Sequence, residues 1–413
     1  MKRVVITGLG VVSPLGCQLE EFWHHLTSGT TSVRPLTKLD RVDYGGNPLA
    51  AEVQGLADVT LAEEGANLAS YGKAVHYAVA AARLSLEDAG LPTHLPAPNT
   101  HAVIIGTTSG NQDMVERTIN HFDLQTTEDE LSDEAAQMLA HFRPLELSAT
   151  VASYFNLGGA NLVIPTACAA GNYAIGTAYS LIQQGRTQLA LAGGADPFTR
   201  SCYTIFYRLG AMTQQDLRPF DQDRTGMVVG EGAAMLVVEE LEHALARGAR
   251  IYAEVTSYGL SCDAYHSTAP DPTGSGAILA MEVALRTGNL RPEDISYISA
   301  HGTGTKANDA HEANAMAAVF GEKLRDIPVS GLKSLLGHCM GAASAFEAVA
   351  SALSIRDQRV PGTHNTEQLD GTFPIPFPLR APTDSIPVRH VLSNAFAFGG
   401  NICSVVFSQY TPQ

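Results

Sequence analysis

The sequence predicts an α/β protein whose strands are covered by helices on both faces, built as two packed halves. Two observations carry this. Short β-branched runs alternate with Ala-rich stretches long enough to be helices, the pattern of strands buried on both sides. Composition also shifts near residue 250, after LEHALARGAR, and each side of the shift carries a strand, a small-residue turn and a long helix. Strands are predicted over 4–7, 102–106, 189–192, 233–239, 295–300, 328–330 and 404–407, and helices over 72–89, 169–184, 277–285, 309–320 and 341–354. The halves are read as residues 1–250 and 251–413, with no internal repeat visible. Two polar, acidic segments, 54–68 and 122–147, read as surface insertions or cap helices.

The first strand has a competing reading. Met1-Lys2-Arg3 followed by VVITGLGVV superficially resembles a secretory leader. The apolar run is short, Gly8, Gly10, Ser13 and Pro14 break it, and no small-residue cleavage site follows, so a buried strand fits better. No run of about 18 apolar residues could span a membrane.

The 413 residues are ample for a large core, and 45% hydrophobic with 16% charged residues describes a globular chain. A formal net charge of -16 argues against nucleic-acid and anionic-membrane binding, which need clustered Lys and Arg. Cys17, Cys168, Cys202, Cys262, Cys339 and Cys403 are scattered without a C-x-x-C pair. Reduced thiols in the cytoplasm are expected, rather than a disulfide scaffold or a zinc site.

The most informative segment is NLVIPTACAAGNYAIGTAYSL, from Asn161. An apolar run ends at Pro165, and Ala167, Ala169, Ala170 and Gly171 surround Cys168 at the start of a long helix. Small residues allow a sharp turn and a close substrate approach, and a helix N-terminus favours thiolate. Taken alone, a nucleophile and an inert core cysteine are equally good readings. Two histidines shift the balance. His301 follows a strand inside the small, polar run AHGTGT, and His338 stands at another strand-to-helix junction in LGHCMGAA. His311 lies on a predicted helix and reads as structural, and His390 likewise. One thiol with two histidines suits decarboxylative condensation, in which the Cys carries an acyl group and the histidines hydrogen-bond a malonyl thioester oxygen. A metal site made from the three is disfavoured, because ligand spacing and a carboxylate cluster are both missing. The segment 392–401, LSNAFAFGGN, reads either as a turn before the last strand or as a mobile loop whose Phe398 N–H helps an oxyanion hole.

From Val4 to Phe407 the chain resembles the β-ketoacyl-acyl-carrier-protein synthases of the elongating type, within the thiolase-like superfamily. The motifs are TACAAG at Cys168, RPFDQDRTGMVVGEGAAMLVVEE at 218–240, HGTGTKAND at 301–309, GLKSLLGHCMGAA at 331–343 and NAFAFGGN at 394–401. The resemblance implies a five-layered αβαβα sandwich of two similar halves, dimeric, with no cofactor of its own, acting on substrates carried on the phosphopantetheine arm of an acyl carrier protein. It implies Cys168 as the acylated nucleophile and His301 and His338 as the decarboxylation and condensation pair. Lys333 and Glu347 would order the site near the second histidine. Thr303 and Thr305 would hold the arm, Phe398 would gate and, with Cys168, form the oxyanion hole, and Phe206 would lie near the acyl channel.

Departures from the family pattern bear on specificity. Ala397 precedes Phe398 where fatty-acid enzymes usually have Gly, Asn401 replaces a common Thr, and Ser109 falls where an apolar residue usually closes the acyl pocket at the dimer interface. The stretch LAEEGANLAS (61–70) lacks the positive charge that often docks the carrier. HGTGTKANDAHE (301–312) is nearer to type II polyketide and polyene subunits. The expected function is therefore chain elongation in a polyketide, polyene or fatty-acid system, as a homodimer or with a chain-length-factor-like homologue. The competing readings are a non-catalytic chain-length subunit, against which Cys168, His301 and His338 stand, and a degradative thiolase, whose Cys-x-Gly base Cys403 does not match.

Overall fold

The structure, a computed structural model, describes residues 2–55, 68–95, 100–121, 140–377 and 386–412. Ten strands form its large sheet: β1 (Val4–Val12), β2 (His101–Gly106), β3 (Asn161–Ile164), β4 (Leu189–Asp196), β5 (Gly232–Glu240), β6 (Ala253–Cys262), β7 (Tyr297–Ser299), β8 (Val329–Ser330), β9 (His390–Phe396) and β10 (Asn401–Ser408). Their order is β8-β7-β9-β10-β6-β1-β5-β4-β2-β3. Counted within each half from its outer edge inward, that order is third, second, fourth, fifth, first on both sides. In both halves the second strand pairs parallel with the third and fourth, and the remaining pairings are antiparallel. The repeat invisible in the residues is thus complete in the topology. The halves join at β1 and β6 through Val5–Glu254 and Ile6–Ala253.

Among the described residues, the longest helices of the layers are α1 (Lys73–Asp88), α2 (Ala170–Gln183), α3 (Ser275–Thr287), α4 (Lys306–Phe320) and α5 (Ala343–Asp357). Helices α2 and α5 touch each other and strands of both halves, so they form the middle layer. Residues 343–355 of α5 are buried all round, as a helix rich in Ala and Ser between two apolar layers must be. Helix α1 covers β1, β4 and β5 outside one half, and α3 covers β6 and β10 outside the other. The result is αβαβα. Close layering explains Gly10 in β1, since a Cβ there would lie 2.0 Å from the carbonyl oxygen of Ala81 on α1.

Several elements differ from expectation. The first strand runs on through its glycines to Val12, wholly buried. Strand β6 gives a weak sequence signal although its burial alternates, because the buried positions Ala253, Val255, Ser257 and Gly259 are small and only Val255 is strongly apolar. Strand β9 takes up half of the segment read as a turn or mobile loop, leaving 397–400 as the connection to β10. Asn394 is therefore a buried strand residue, accepting from Ser404 Oγ at 2.8 Å. Most of the acidic segments 54–68 and 122–147, and most of 61–70, lie outside the described residues.

Candidate active site

Two corresponding turns, one in each half, build the site. After β3, the turn Ala167–Ala169 carries Cys168 into α2. After β8, the short helix Lys333–Leu336, then His338, then the turn Met340–Ala342 lead into α5. The first residue of each turn, Ala167 and Met340, sits at positive φ, 49° and 51°. Side chains seldom adopt that region, and at functional sites it re-aims the residues around it. His301 follows β7, and Phe398 lies in the β9–β10 turn. These elements converge on one cavity of about 350 Å³, lined by Cys168, His301, His338, Thr303, Thr305, Phe206 and Phe398 among others.

Cys168 is 5% exposed, and burial pushes its thiol up to about 12, against the opposing charge of Lys333. Burial thus works against the helix N-terminus, which by itself favours thiolate. Because a high-pKa thiol gains reactive thiolate with every rise in pH, alkylation of Cys168 by iodoacetamide, followed by peptide mass, should accelerate about tenfold per pH unit from roughly 7 to 10. A plateau near neutral pH would show a stabilised thiolate.

His301 and His338 are buried, with ring centroids 5.5 Å apart and planes at 82°. His338 Nδ1 accepts from the Met340 N–H at 3.1 Å, and His301 Nδ1 lies 3.2 Å from Lys333 Nζ. Burial first, then the Lys333 charge, hold both imidazoles well below their usual pKa, hence neutral. A neutral ring accepting at Nδ1 carries its proton on Nε2. Lys333 Nζ also donates to His301 O and Glu347 Oε1, each at 2.5 Å. The lysine thus hydrogen-bonds the first histidine, while its charge also bears on the second.

Buried carboxylates absent from the sequence reading hold the 301–305 turn. Glu312 accepts the N–H groups of His301 and Gly302, both at 2.9 Å. Asp309 accepts those of Thr303 at 3.1 Å, Gly304 at 3.2 Å and Phe220 at 2.7 Å. Burial raises both, Glu312 to about 8, against these bonds. Thr303 Oγ1 and Thr305 Oγ1 lie 2.9 Å apart, and Thr305 caps α4 through Asn308 N. The Phe206 and Phe398 rings lie with centroids 5.4 Å apart, tilted by 33°. Among the described residues the backbone N–H groups of Cys168 and Phe398 donate to no carbonyl, and the Phe398 turn is tied down by Gly399 N to Ser267 O at 2.9 Å.

Ser109 and His311 complete the placements. Ser109 does not line the cavity: its N–H and Oγ both donate to Asp196 Oδ1 at 2.8 Å. His311, read as structural, does anchor backbone, with Nδ1 3.0 Å from Asp271 O, but it also lines the cavity edge-on to Phe396. Nothing in its surroundings on α4 marks it, since the helix contributes one wall only after folding.

Comparison with known proteins agrees with this arrangement. Residues 1–244 match the Beta-ketoacyl synthase, N-terminal domain, and residues 252–367 the Beta-ketoacyl synthase, C-terminal domain. The 3-oxoacyl-[acyl-carrier-protein] synthase 2 of Synechocystis sp. is 37% identical over 425 residues, covering 99% of this chain and 98% of the relative. Among solved structures, the ishigamide ketosynthase/chain length factor matches with TM-score 0.92 and 38% identity over 99% of this chain and 100% of that one. A type II polyketide synthase ketosynthase, bound to the hexaketide and in complex with its acyl-carrier protein, matches with TM-score 0.89 and 29% identity over 99% and 100%. With its thiolase-like layers and its Cys-His-His cavity, the chain belongs to the β-ketoacyl synthase family and is a condensing acyltransferase.

Proposed function

We propose that the enzyme condenses an acyl group held on Cys168 with a malonyl group presented by an acyl carrier protein, in polyketide or polyene chain extension. The observation that carries this is the pair of neutral histidines beside a buried thiol, each with Nδ1 engaged by a protein donor. Each then offers an Nε2–H, and both can donate to one thioester oxygen. Charge collects on that oxygen as carbon dioxide leaves, and preset donors in a dry site stabilise it without reorganisation.

In the first step Sγ attacks the incoming acyl thioester, the acyl group moves to Cys168, and the carrier's thiol departs with the proton. Malonyl carrier then binds and loses carbon dioxide, and its enolate carbon attacks the Cys168 thioester. The carbon–sulfur bond breaks, Sγ regains a proton from solvent, and a 3-oxoacyl chain remains on the carrier. The N–H groups of Cys168 and Phe398 receive the charge on the acyl oxygen. Thr303 and Thr305 hold the arm, Lys333 and Glu347 set His301, and Phe206 and Phe398 wall the acyl chain. The arm belongs to the carrier, so the enzyme supplies no cofactor of its own.

The edge of β3 supports a second subunit. Among the described residues it pairs with a strand on one side only, and Leu162, Phe142 and Leu145 are exposed. An apolar open edge is a pairing surface. The occupant is a second copy or a chain-length-factor-like homologue, the kind of subunit named together with the ishigamide ketosynthase. All six cysteines are free, and no helix among the described residues is long and apolar enough to cross a membrane, which supports placement in the cytoplasm. A thiolase reading gains nothing from Cys403, which is buried in β10 and does not line the cavity.

Reconstitution tests the whole reading. The enzyme, an acyl donor and malonyl groups on a housekeeping or a pathway carrier should yield 3-oxoacyl carrier by intact mass, preferentially on the pathway carrier. Efficient elongation of saturated chains on the housekeeping carrier would overturn the specialised setting, and no product on either would overturn condensation.

A further inference from the structure

Asp196 ends β4, is wholly buried, and has no part in the steps above. Its carboxylate gathers five donors. From the turn after β2 come Thr107 Oγ1 at 3.0 Å, Thr108 N at 2.7 Å, and Ser109 N and Oγ, each at 2.8 Å. From the other half comes Gly341 N at 2.6 Å. The three backbone N–H groups can only donate, so an acceptor-only carboxylate is the group that satisfies them all. Burial pushes the carboxyl up against those bonds. Gly341 is clasped closely: a Cβ there would lie 2.6 Å from Thr107 Cα and 2.7 Å from Asp196 Oδ2.

Asp196 therefore pins the β2 turn of one half against the Met340–Ala342 turn of the other. In that second turn Met340 is left-handed despite its side chain, a conformation that persists only where the surroundings over-determine it. The Met340 N–H is also the donor to His338 Nδ1. We propose that Asp196 is a positioning residue for His338. By holding Gly341 it keeps Met340 left-handed, keeps the Met340 N–H on Nδ1, and so keeps the histidine proton on Nε2. This rests on the reading of His338 as a donor to the malonyl thioester and extends it. Without the grip, Met340 relaxes to ordinary backbone and its N–H leaves the ring. The imidazole can then adopt the tautomer that presents a lone pair where a donor is needed.

The test is Asp196→Asn, which keeps the size but turns an NH2 group toward donors. Three measurements are made on the full-length protein. They are the ¹⁵N signals of the His338 ring, assigned by difference from His338→Gln, carbon dioxide release from malonyl carrier, and acyl loading of Cys168 by intact mass. The wild-type ring should show a bare Nδ1 and a protonated Nε2, and the variant a mixture. Decarboxylation should fall about 10- to 100-fold, the usual cost of losing an outer hydrogen-bond partner, while loading falls less than about threefold. Asp196→Glu should restore most of the loss. An unchanged ring spectrum in Asp196→Asn, or loading and decarboxylation falling in parallel, overturns the proposal. If that variant does not fold, Thr107→Val with Ser109→Ala removes two hydroxyl donors from the same carboxylate, and an unchanged ring there overturns it equally. A wild-type enzyme that releases no carbon dioxide would sink the proposed function, while the ring spectra would still decide this one.

Discussion

Replacing Cys168 by alanine is expected to abolish condensation, by about 10⁴-fold or more, while release of carbon dioxide from malonyl carrier continues. The two activities separate because different groups support them. Only a nucleophile at position 168 can hold the acyl chain between the two carrier visits. The decarboxylation donors are fixed independently of the thiol: His338 by the Met340 N–H, and His301 by Lys333. Removing Sγ leaves both rings held and enlarges the cavity beside them. Trapped carbon dioxide and intact-mass detection of the 3-oxoacyl product measure the two activities in one vessel. Condensation above about 1% of wild type would mean that the acyl group is held elsewhere. Loss of both activities would mean that the thiol itself takes part in decarboxylation.

What can be seen in advance follows from what each residue requires of its neighbours. Cys168 shows in the sequence because its turn demands small residues on both sides, and Ala167, Ala169, Ala170 and Gly171 leave a trace that an ordinary core helix would not. His301 stands in a run of Gly and Thr, and His338 between Gly337 and the small residues Gly341, Ala342 and Ala343, for the same reason. The groups that support them have no such trace. Asp196 follows two glycines at a strand end, and Asp309 and Glu312 lie on a helix, where acids are common. What distinguishes them is that each accepts backbone N–H groups of a turn outside its own element. Nearness in sequence points Lys333 toward His338. The intervening Gly337, at φ 68°, turns the chain away, and the lysine side chain reaches His301 instead. The doubled strand order is hidden because layering constrains which positions are buried, not which residues fill them. Strand β9 is hidden because Ser393 and Asn394 look like loop residues, although both are wholly buried there.

Lys333→Met should cost both stability and activity, and the loss of stability should grow with pH. Lys333 is 2% exposed, and its ammonium has three acceptors around it: Glu347 Oε1, His301 O and His301 Nδ1. Removing one partner of a buried pair leaves an uncompensated group and typically costs about 3–5 kcal/mol. Glu347 is the group left behind. Burial raises its carboxyl to about 7, opposed by the Lys333 charge, so without the lysine it moves higher still. A carboxyl with a raised folded-state pKa favours folding most below its unfolded value, and that contribution is lost as pH rises through the folded one. The variant should therefore lose more stability relative to wild type at pH 8.5 than at pH 6, measured as denaturation midpoints. Adding Glu347→Gln should recover much of the stability and flatten the pH dependence, since the charge is gone. Activity should stay about 10²-fold down in both variants, because His301 Nδ1 has lost the donor that fixes its proton on Nε2. A midpoint deficit equal at the two pH values would show that Glu347 is not the group stranded. Recovery of decarboxylation in the double variant would show that Lys333 acts through the charge of Glu347 and not on the histidine ring.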